Sequence, residues 1–273
     1  MELKPLFKYN LQEIVCLLKR GYADFPVTTA FNVAQVLNLI RLDGLDLLCS
    51  RLVLDGDKAV AVALIARRGW RCRLVDMAVL PEARRLGIGR WLVKQLISEA
   101  KERGEKSMVL EVLEQNTAAF RLYAAVGFRP LRRLVSYTGF QTSEGKTDAM
   151  EEVDLGEVAQ RVSAYGLENL PWQLSGESLA QLGPPNRGYR MQDAYMAISN
   201  PKGSRIALRS VVVKPLARGQ GQASRLLGAV MEHHGAKEWE VPALCPEELG
   251  PLFENAGFIQ SSFSQFQMIL HWA

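Results

Sequence analysis

The sequence lacks the features that define several large classes of protein. Only four of its 273 residues are cysteines, at positions 16, 49, 72 and 245, and they form no C-x-x-C pair and no metal-ligand spacing. The longest apolar runs, such as Ala59 to Ala66, fall far short of the about 20 residues that a membrane-spanning helix requires. The first residues contain no apolar core of a secretion signal. We therefore expect a cytoplasmic globular protein with reduced thiols, no bound metal and no membrane partner.

The sequence also lacks a stripe of basic residues interleaved with aromatic residues, so we expect no nucleic-acid partner. The charges are unevenly distributed between the two halves. Residues 1–140 contain 22 lysines and arginines against 14 acidic residues, whereas residues 141–273 contain 11 against 15. This surplus of positive charge predicts that the first half binds an anionic ligand.

The same series of patterns occurs twice along the chain. Each series has an apolar strand, a proline, a glycine-containing loop, an amphipathic helix, a second strand, a short helix and a Gly-Phe pair. Pro81 and Pro215 are 134 residues apart, and Phe128 and Phe258 are 130 residues apart. This near-constant offset indicates an internal duplication. The polar residues from 141 to 152 predict a linker between a first domain, 1–140, and a second domain, 153–273.

Each repeat contains an Arg-x-x-Gly-x-Gly/Ala loop between its strand and its helix, at Arg84–Gly89 and Arg218–Ala223. Glycines allow the backbone to turn tightly, and the start of the following helix offers unpaired N–H groups and a positive dipole end. Together they predict a site for a phosphate or pyrophosphate group. A dinucleotide-binding loop would need a further small residue where Leu92 lies, which argues against that class.

These loops resemble the acyl-CoA-binding signature of the GCN5-related N-acetyltransferase (GNAT) family. The family's later pattern, Asn-x-x-Ala-x-x-x-Tyr-x-x-x-Gly-Phe, is matched by Asn116, Ala119, Tyr123, Gly127 and Phe128. The resemblance is strong over residues 50–140 and weaker over residues 190–270. It implies an α/β chain of two tandem GNAT folds. Each would be a twisted, mostly antiparallel mixed sheet with a central splayed parallel pair of strands, flanked by helices.

The resemblance further implies an acetyl-CoA-dependent N-acetyltransferase that moves an acetyl group directly to a primary amine of a small molecule or peptide. Acetyl-CoA is the implied cosubstrate, and no metal is needed. The implied cofactor contacts are Met77, Val79, Arg84, Arg85, Leu86, Gly87, Ile88, Gly89, Arg90, Asn116 and Ala119. Whether the second loop also binds the cofactor stays open; its corresponding residues are Arg218, Gly219, Gln220, Gly221 and Ala223.

The chemistry of amine acetylation requires a base and an acid. An amine with a pKa near 10 is mostly protonated at neutral pH, so a carboxylate must help to remove a proton. Asp76 and Glu111 lie within otherwise apolar strands and are the candidate bases, whereas Glu114 is expected to be a solvated charge. Tyr123 is the candidate acid that protonates the departing thiolate; a purely packing role for its ring is the alternative.

The second repeat lacks these groups. Phe253, Pro246 and Ser210 stand where the first repeat has Tyr123, Asn116 and Asp76. We therefore expect a catalytic first domain and a degenerate second domain, in a monomer that forms an internal pseudo-dimer or in a homodimer. The alternative function is a non-catalytic protein that binds or senses acyl-CoA through the same loops.

Overall fold

The computed structural model describes residues 1–24, 31–141, 150–235 and 237–272. Most of the predicted linker lies outside these residues. The chain forms two compact units: residues 1–131 with 266–273, and residues 132–265. No helix within the described ranges is both long enough and apolar enough to cross a membrane.

The described residues of the first half form six strands and four helices in the order βααβββαβαβ. They are β1 (Glu2–Pro5), α1 (Leu11–Gly21), α2 (Val33–Asn38), β2 (Arg51–Asp55), β3 (Lys58–Arg68), β4 (Arg71–Val79), α3 (Ile88–Glu102), β5 (Ser107–Leu113), α4 (Thr117–Ala125) and β6 (Arg129–Gln141).

The second half repeats this order. Its elements are β7 (Glu151–Val153), α5 (Leu155–Tyr165), α6 (Gly176–Leu179), β8 (Arg187–Met191), β9 (Ala194–Ile198), β10 (Arg205–Val213), α7 (Gln222–His234), β11 (Lys237–Pro246), α8 (Gly250–Glu254) and β12 (Ile259–His271). A 3-10 turn, Glu247–Leu249, precedes α8.

Each unit contains one parallel pair of strands among antiparallel neighbours. In the first unit β4 pairs in parallel with β5, from Arg71–Ser107 to Leu74–Leu110, while β2 and β3 run antiparallel beside them. In the second unit β10 pairs in parallel with β11 over only three residues, Arg205 to Ala207. In both units the two parallel strands then diverge, so the predicted mixed sheet with a splayed central pair is confirmed.

The last strand of each repeat is divided between the two compact units. The end of β12 is the neighbour of β5 and belongs to the first unit. Most of β6 belongs to the second unit, where it pairs antiparallel with β11. The compact units therefore have different bounds from the two sequence repeats, whose division into domains stays a prediction.

Gly21, the last residue of α1, allows this helix to lie directly on β4. A Cβ atom built on Gly21 would overlap the Cβ of Ala78. Gly21 and Ala78 are both buried, and Ala78 belongs to the apolar cluster that Leu18 of α1 shares with Leu64 of β3. The missing side chain therefore sets the distance between the end of α1 and β4.

Gly21→Ala should lower the stability of the first unit by about 1–3 kcal/mol, because the added methyl group forces α1 away from β4. Helix propensity alone favours alanine over glycine, so this loss would have the opposite sign to the usual effect. Gly228→Ala is the matched control: Gly228 lies within α7 with no atom near its would-be Cβ. It should raise stability by about 0.5–1 kcal/mol. Urea denaturation midpoints measure both, and an unchanged midpoint for Gly21→Ala would contradict the close packing.

Candidate active site

A cleft begins in the first unit where β4 and β5 separate. The last paired residues are Leu74 and Leu110, and the candidate bases Asp76 and Glu111 follow immediately on the two strands. Beyond the last pair, the facing strand edges are free to accept a ligand between them. The sheet itself thus brings both predicted carboxylates to one opening.

A β-bulge decides which face of the sheet Asp76 occupies. On β4, Leu74 pairs with Ile65 and Asp76 pairs with Leu64, so Val75 is the extra residue. The bulge turns Asp76 to the face of the sheet that α1 covers. Leu74 lies on the opposite face, in the apolar cluster that contains the buried residues of α3. Without the bulge, Asp76 would point into that apolar cluster.

Tyr22 follows α1 and donates a short hydrogen bond to Asp76 Oδ1. Its hydroxyl also lies 3.3 Å from the carbonyl oxygen of Met77. The ring of Tyr22 packs against Phe31, with 5.3 Å between the ring centroids. Because Gly21 lets α1 lie on β4, the tyrosine hydroxyl reaches the carboxylate on the adjacent strand. Tyr22 is therefore a site residue that the sequence prediction did not include.

Tyr123 approaches the same cleft from the opposite face of the sheet. It lies on α4, is 7% exposed, and packs its ring against Phe128 with 5.9 Å between the centroids. Burial raises the pKa of Tyr123, and the negative charge of Asp76 raises it further. The charge of Asp76 acts on both Tyr22 and Tyr123, so these three groups lie near one another around the cleft.

Asp76 titrates close to neutral pH. Burial raises its pKa to about 6, against the lowering effects of the Tyr22 hydrogen bond, the Met77 backbone and the Arg73 charge. A carboxyl group with this pKa is mostly ionised at pH 7 and is a much better proton acceptor than an ordinary aspartate.

Glu111 is held in a buried ion-pair cluster. Arg73 Nε donates to Glu111 Oε2 at 2.8 Å, and Arg73 Nη1 lies 3.2 Å from Asp43 Oδ2. All three side chains are at most 8% exposed. The second carboxylate oxygen, Glu111 Oε1, is buried and has no hydrogen-bond partner among the described residues. Glu111 thus neutralises Arg73 and keeps one acceptor oxygen unused.

The predicted phosphate loop has a backbone that suits an anion. Arg85 and Gly87 have φ values of 64° and 79°, and Gly87 caps α3 without any side-chain hydrogen bond. The first amides of α3 are therefore not covered by a capping side chain, and the exposed Arg85 and Arg90 add positive charge. Leu86 is 72% exposed, whereas the Ile88 side chain belongs to the apolar core.

Gly89 has a different role from Gly87. A Cβ atom on Gly89 would lie 3.0 Å from Leu122 Cδ1 and 3.5 Å from Val79 Cγ2, with Met77 Cε at 3.9 Å. The absent side chain therefore lets the start of α3 pack closely on β4 and α4. This packing holds the loop at the end of the cleft.

Arg84 binds the chain's own carbonyl groups. Its Nε donates to Val79 O at 3.1 Å and its Nη2 to Gly21 O at 2.9 Å. Arg218 makes the matching bonds, to Val213 O at 3.2 Å and to Tyr165 O. In both repeats this arginine ties the loop to its strand and to the preceding helix, which is a positioning role. A direct contact of Arg84 or Arg218 with the cofactor stays a prediction.

Asn116 caps α4. Its side chain accepts a hydrogen bond from the Ala119 N–H at 3.1 Å, and its carbonyl oxygen accepts from Phe120. The cap fixes the start of the helix that carries Tyr123. A direct contact of Asn116 or Ala119 with the cofactor stays a prediction.

The fold and this cleft define the class of protein. Residues 22–128 match the model of the acetyltransferase (GNAT) family. This segment of the chain is a GNAT domain, and it contains the glycine loop, both candidate bases and Tyr123.

Known proteins similar to the chain are N-acetyltransferases or share their fold. The ribosomal protein bS18-alanine N-acetyltransferase of Escherichia coli is 38% identical over 77 residues, which are 28% of this chain and 51% of that enzyme. The chain thus spans about half the length of that relative. A GCN5-related N-acetyltransferase from Sphaerobacter thermophilus is 18% identical and has a TM-score of 0.69. The match covers 99% of this chain and 95% of that protein.

A tandem GNAT protein from the clavulanic acid biosynthesis pathway has a TM-score of 0.64 and is 16% identical. The match covers 99% of this chain and 98% of that protein. At this identity the likeness concerns the fold, and it agrees with a chain of two GNAT modules.

Sequence reasoning missed Tyr22 and Arg73. Arg73 had a readable signal, since a positive charge within an apolar strand requires a buried counter-ion such as Glu111. Tyr22 had none: it follows a helix at an ordinary position, and only the packing of Gly21 on Ala78 brings it to Asp76.

Arg73→Met should destabilise the first unit by about 3–5 kcal/mol, because it leaves Asp43 and Glu111 buried without their counter-ion. Arg205→Met is the matched control. Arg205 also lies near two glutamates, Glu238 and Glu240, but it is 54% exposed. Its loss should lower the stability far less, because water already screens an exposed ion pair. Equal denaturation midpoints for the two variants would show that burial does not strengthen the first cluster.

Proposed function

We propose that the first unit transfers the acetyl group of acetyl-CoA to a primary amine. The observation that carries this proposal is the convergence of Asp76, Tyr22 and Tyr123 on the cleft between β4 and β5. A proton acceptor and a proton donor on either side of one opening suit a reaction that removes a proton from an amine and delivers one to a thiolate.

The loop at the end of the cleft fits the cofactor of the family. GNAT enzymes use acetyl-CoA as cosubstrate, and the uncapped start of α3 with Arg85 and Arg90 suits its pyrophosphate. The free edge of β4 beyond Leu74 offers backbone groups to the amide-containing arm of the cofactor. Met77 and Val79 would then line that arm, while Arg84 holds the loop in place.

Asp76 acts as the base in this proposal. With a pKa of about 6 it is ionised at neutral pH and accepts a proton from the attacking amine. Tyr22 orients the carboxylate through its hydrogen bond. Glu111 is the second candidate because its Oε1 is unused, but its other oxygen is committed to Arg73.

Tyr123 acts as the acid in this proposal. The phenol is protonated throughout the physiological pH range, so that a proton is available when the carbon–sulfur bond breaks. Phe128 and the cap at Asn116 fix the position of its ring.

The acceptor is proposed to be an α-amine. An N-terminal amine has a pKa near 7.7–8.0 and a lysine side chain near 10.4, so a base with a pKa of about 6 deprotonates the first far more easily. The similar enzyme of E. coli is an alanine N-acetyltransferase of a ribosomal protein. The peptide or small molecule that carries this amine is open, as is the choice between monomer and homodimer.

A non-catalytic acyl-CoA-binding protein is the second candidate function. The observation against it is that binding needs neither an ionisable carboxylate in the cleft nor a buried tyrosine beside it. Acetyl-CoA turnover over a panel of amines separates the two functions, since a binding protein would show saturable affinity without turnover.

The rate of acetylation should fall as the pH drops through about 6, because protonated Asp76 cannot accept a proton. The Tyr22 hydrogen bond lowers the pKa of Asp76, so Tyr22→Phe should move this acidic limb to higher pH. The groups that act on the pKa of Asp76 are Tyr22, the Met77 backbone and Arg73, and Asp76 in turn acts on Tyr123. The measurement is kcat/KM from pH 5 to 9, with Asp76→Asn as the variant that lacks the limb. An acidic limb that does not move in Tyr22→Phe would exclude this role for Tyr22.

Tyr123→Phe should lower kcat about 100-fold with little change in the KM for acetyl-CoA, since only the proton donor is removed. Tyr189→Phe is the matched control, because Tyr189 is also buried but belongs to the second unit.

Turnover is followed with two peptides, one with a free N-terminal alanine and one with a blocked N-terminus and a single lysine. Unchanged kcat in Tyr123→Phe would refute the acid assignment, and faster acetylation of the lysine peptide would refute the α-amine preference.

A further inference from the structure

The second unit contains a cavity of about 430 Å³ at the position that corresponds to the candidate active site of the first unit. Arg84 binds the carbonyl oxygen of Gly21 and Arg218 binds that of Tyr165, so the residues that follow, Tyr22 and Gly166, correspond. The offsets between the repeats give the other corresponding pairs: Asp76 with Ser210, Glu111 with Val241, and Tyr123 with Phe253. These four residues of the second repeat all line the cavity: Gly166, Ser210, Val241 and Phe253. None of these four has a group that ionises near neutral pH, so the second unit has neither the base nor the acid at the positions that we propose for the first unit.

The loop at the mouth of the cavity keeps its anion-binding geometry. Gly219 and Gly221 have φ values of 75° and 72°, at the positions of Arg85 and Gly87. Gly221 caps the 13-residue helix α7 without a side-chain hydrogen bond, and both glycines line the cavity. The loop therefore presents the same uncapped helix start as the loop of the first unit.

The wall of the cavity provides an open strand edge. β10 pairs with β11 only from Arg205 to Ala207, whereas it continues to pair with β9 as far as Val213. The edge from Leu208 to Val213 therefore faces the cavity with backbone N–H and C=O groups that β11 does not bind. An extended ligand with amide groups would satisfy these groups.

The rest of the lining is apolar and incompletely covered. Six leucines with half-buried side chains line the cavity: Leu167, Leu170, Leu174, Leu244, Leu249 and Leu252. A cavity of this volume with an apolar lining and few polar groups is typical of small-molecule sites. The leucines favour a ligand with an apolar group larger than an acetyl group.

From these features we infer that the cavity of the second unit binds a coenzyme A thioester with an apolar acyl chain and does not react with it. The anionic end would lie at the Gly219–Gly221 loop, the amide-containing arm along β10, and the acyl chain against the leucines. The inference goes beyond the proposed function. It takes from that function only the assumption that such a loop binds the pyrophosphate of coenzyme A.

The test is calorimetric titration of the full chain with S-octyl-CoA, a thioether that cannot transfer an acyl group. Two sites per chain are expected. Arg90→Glu and Ser224→Glu place a negative charge at equivalent positions of the two loops, and each should remove one site. Ser224 is exposed in the first turn of α7, where a glutamate favours the helix, so its variant should fold normally. Ser224→Gln is the neutral control and should keep both sites.

Leu170→Ala tests the acyl-chain assignment. It should weaken S-octyl-CoA binding at the site that persists in Arg90→Glu by about tenfold, through lost apolar contact, and leave S-ethyl-CoA binding there nearly unchanged. Equal effects on both thioethers would refute the apolar-chain preference.

A single site per chain, lost in Arg90→Glu and intact in Ser224→Glu, would overturn the inference and leave the proposed function standing. Two sites with no acetyl transfer by the wild-type protein to any amine would support the inference and refute the proposed function. Two sites that both persist in Ser224→Glu would also overturn the inference, because the anion would then not lie at the start of α7.

Discussion

The separation of two parallel strands is the constraint on which the site in the first unit depends. Strands β4 and β5 pair only as far as Leu74 and Leu110, and the unpaired edges beyond them form the walls of the cleft. The bulge at Val75 then places Asp76 on the face of α1, where Arg73 and Glu111 also lie. A regular β4 would have kept its backbone paired and its aspartate in the apolar core.

Burying the polar groups of this cleft is unfavourable, and the surrounding structure gives partners to Arg73 and Asp76. Arg73 is neutralised by Asp43 and Glu111, and Asp76 accepts the hydrogen bond of Tyr22. In the second unit no charged group has to be buried at the positions that correspond to Asp76, Glu111, Tyr123 and Tyr22, because serine, valine, phenylalanine and glycine occupy them. Its cavity consequently lacks, at these positions, the groups that we propose for amine acetylation.

Much of the fold could be predicted from the sequence because the same series of strand, loop and helix patterns occurs in both repeats. The glycine loops, the central strands and the helices that follow them carry strong local patterns, and the structure confirms the mixed sheet with its splayed pair. The short outer strands β1 and β7 carry weak patterns and were not predicted. In the site, Tyr123 and Asp76 were found through motif and strand position. Tyr22 depends on a helix-to-strand contact at Gly21, and the positioning role of Arg84 depends on carbonyl groups distant in sequence.

The exchange of the last strands gives a physical reason for a degenerate repeat to persist. Both repeats end in a Gly-Phe pair and a strand, so the sequence cannot distinguish which of the two strands lies beside β5. The structure places β12 there, and Trp272 binds the Lys106 carbonyl oxygen at 3.2 Å through its backbone N–H. A chain without its second repeat would leave the edge of β5, the strand that carries Glu111, uncovered. The second repeat thus completes the sheet of the first unit, whatever chemistry it has lost.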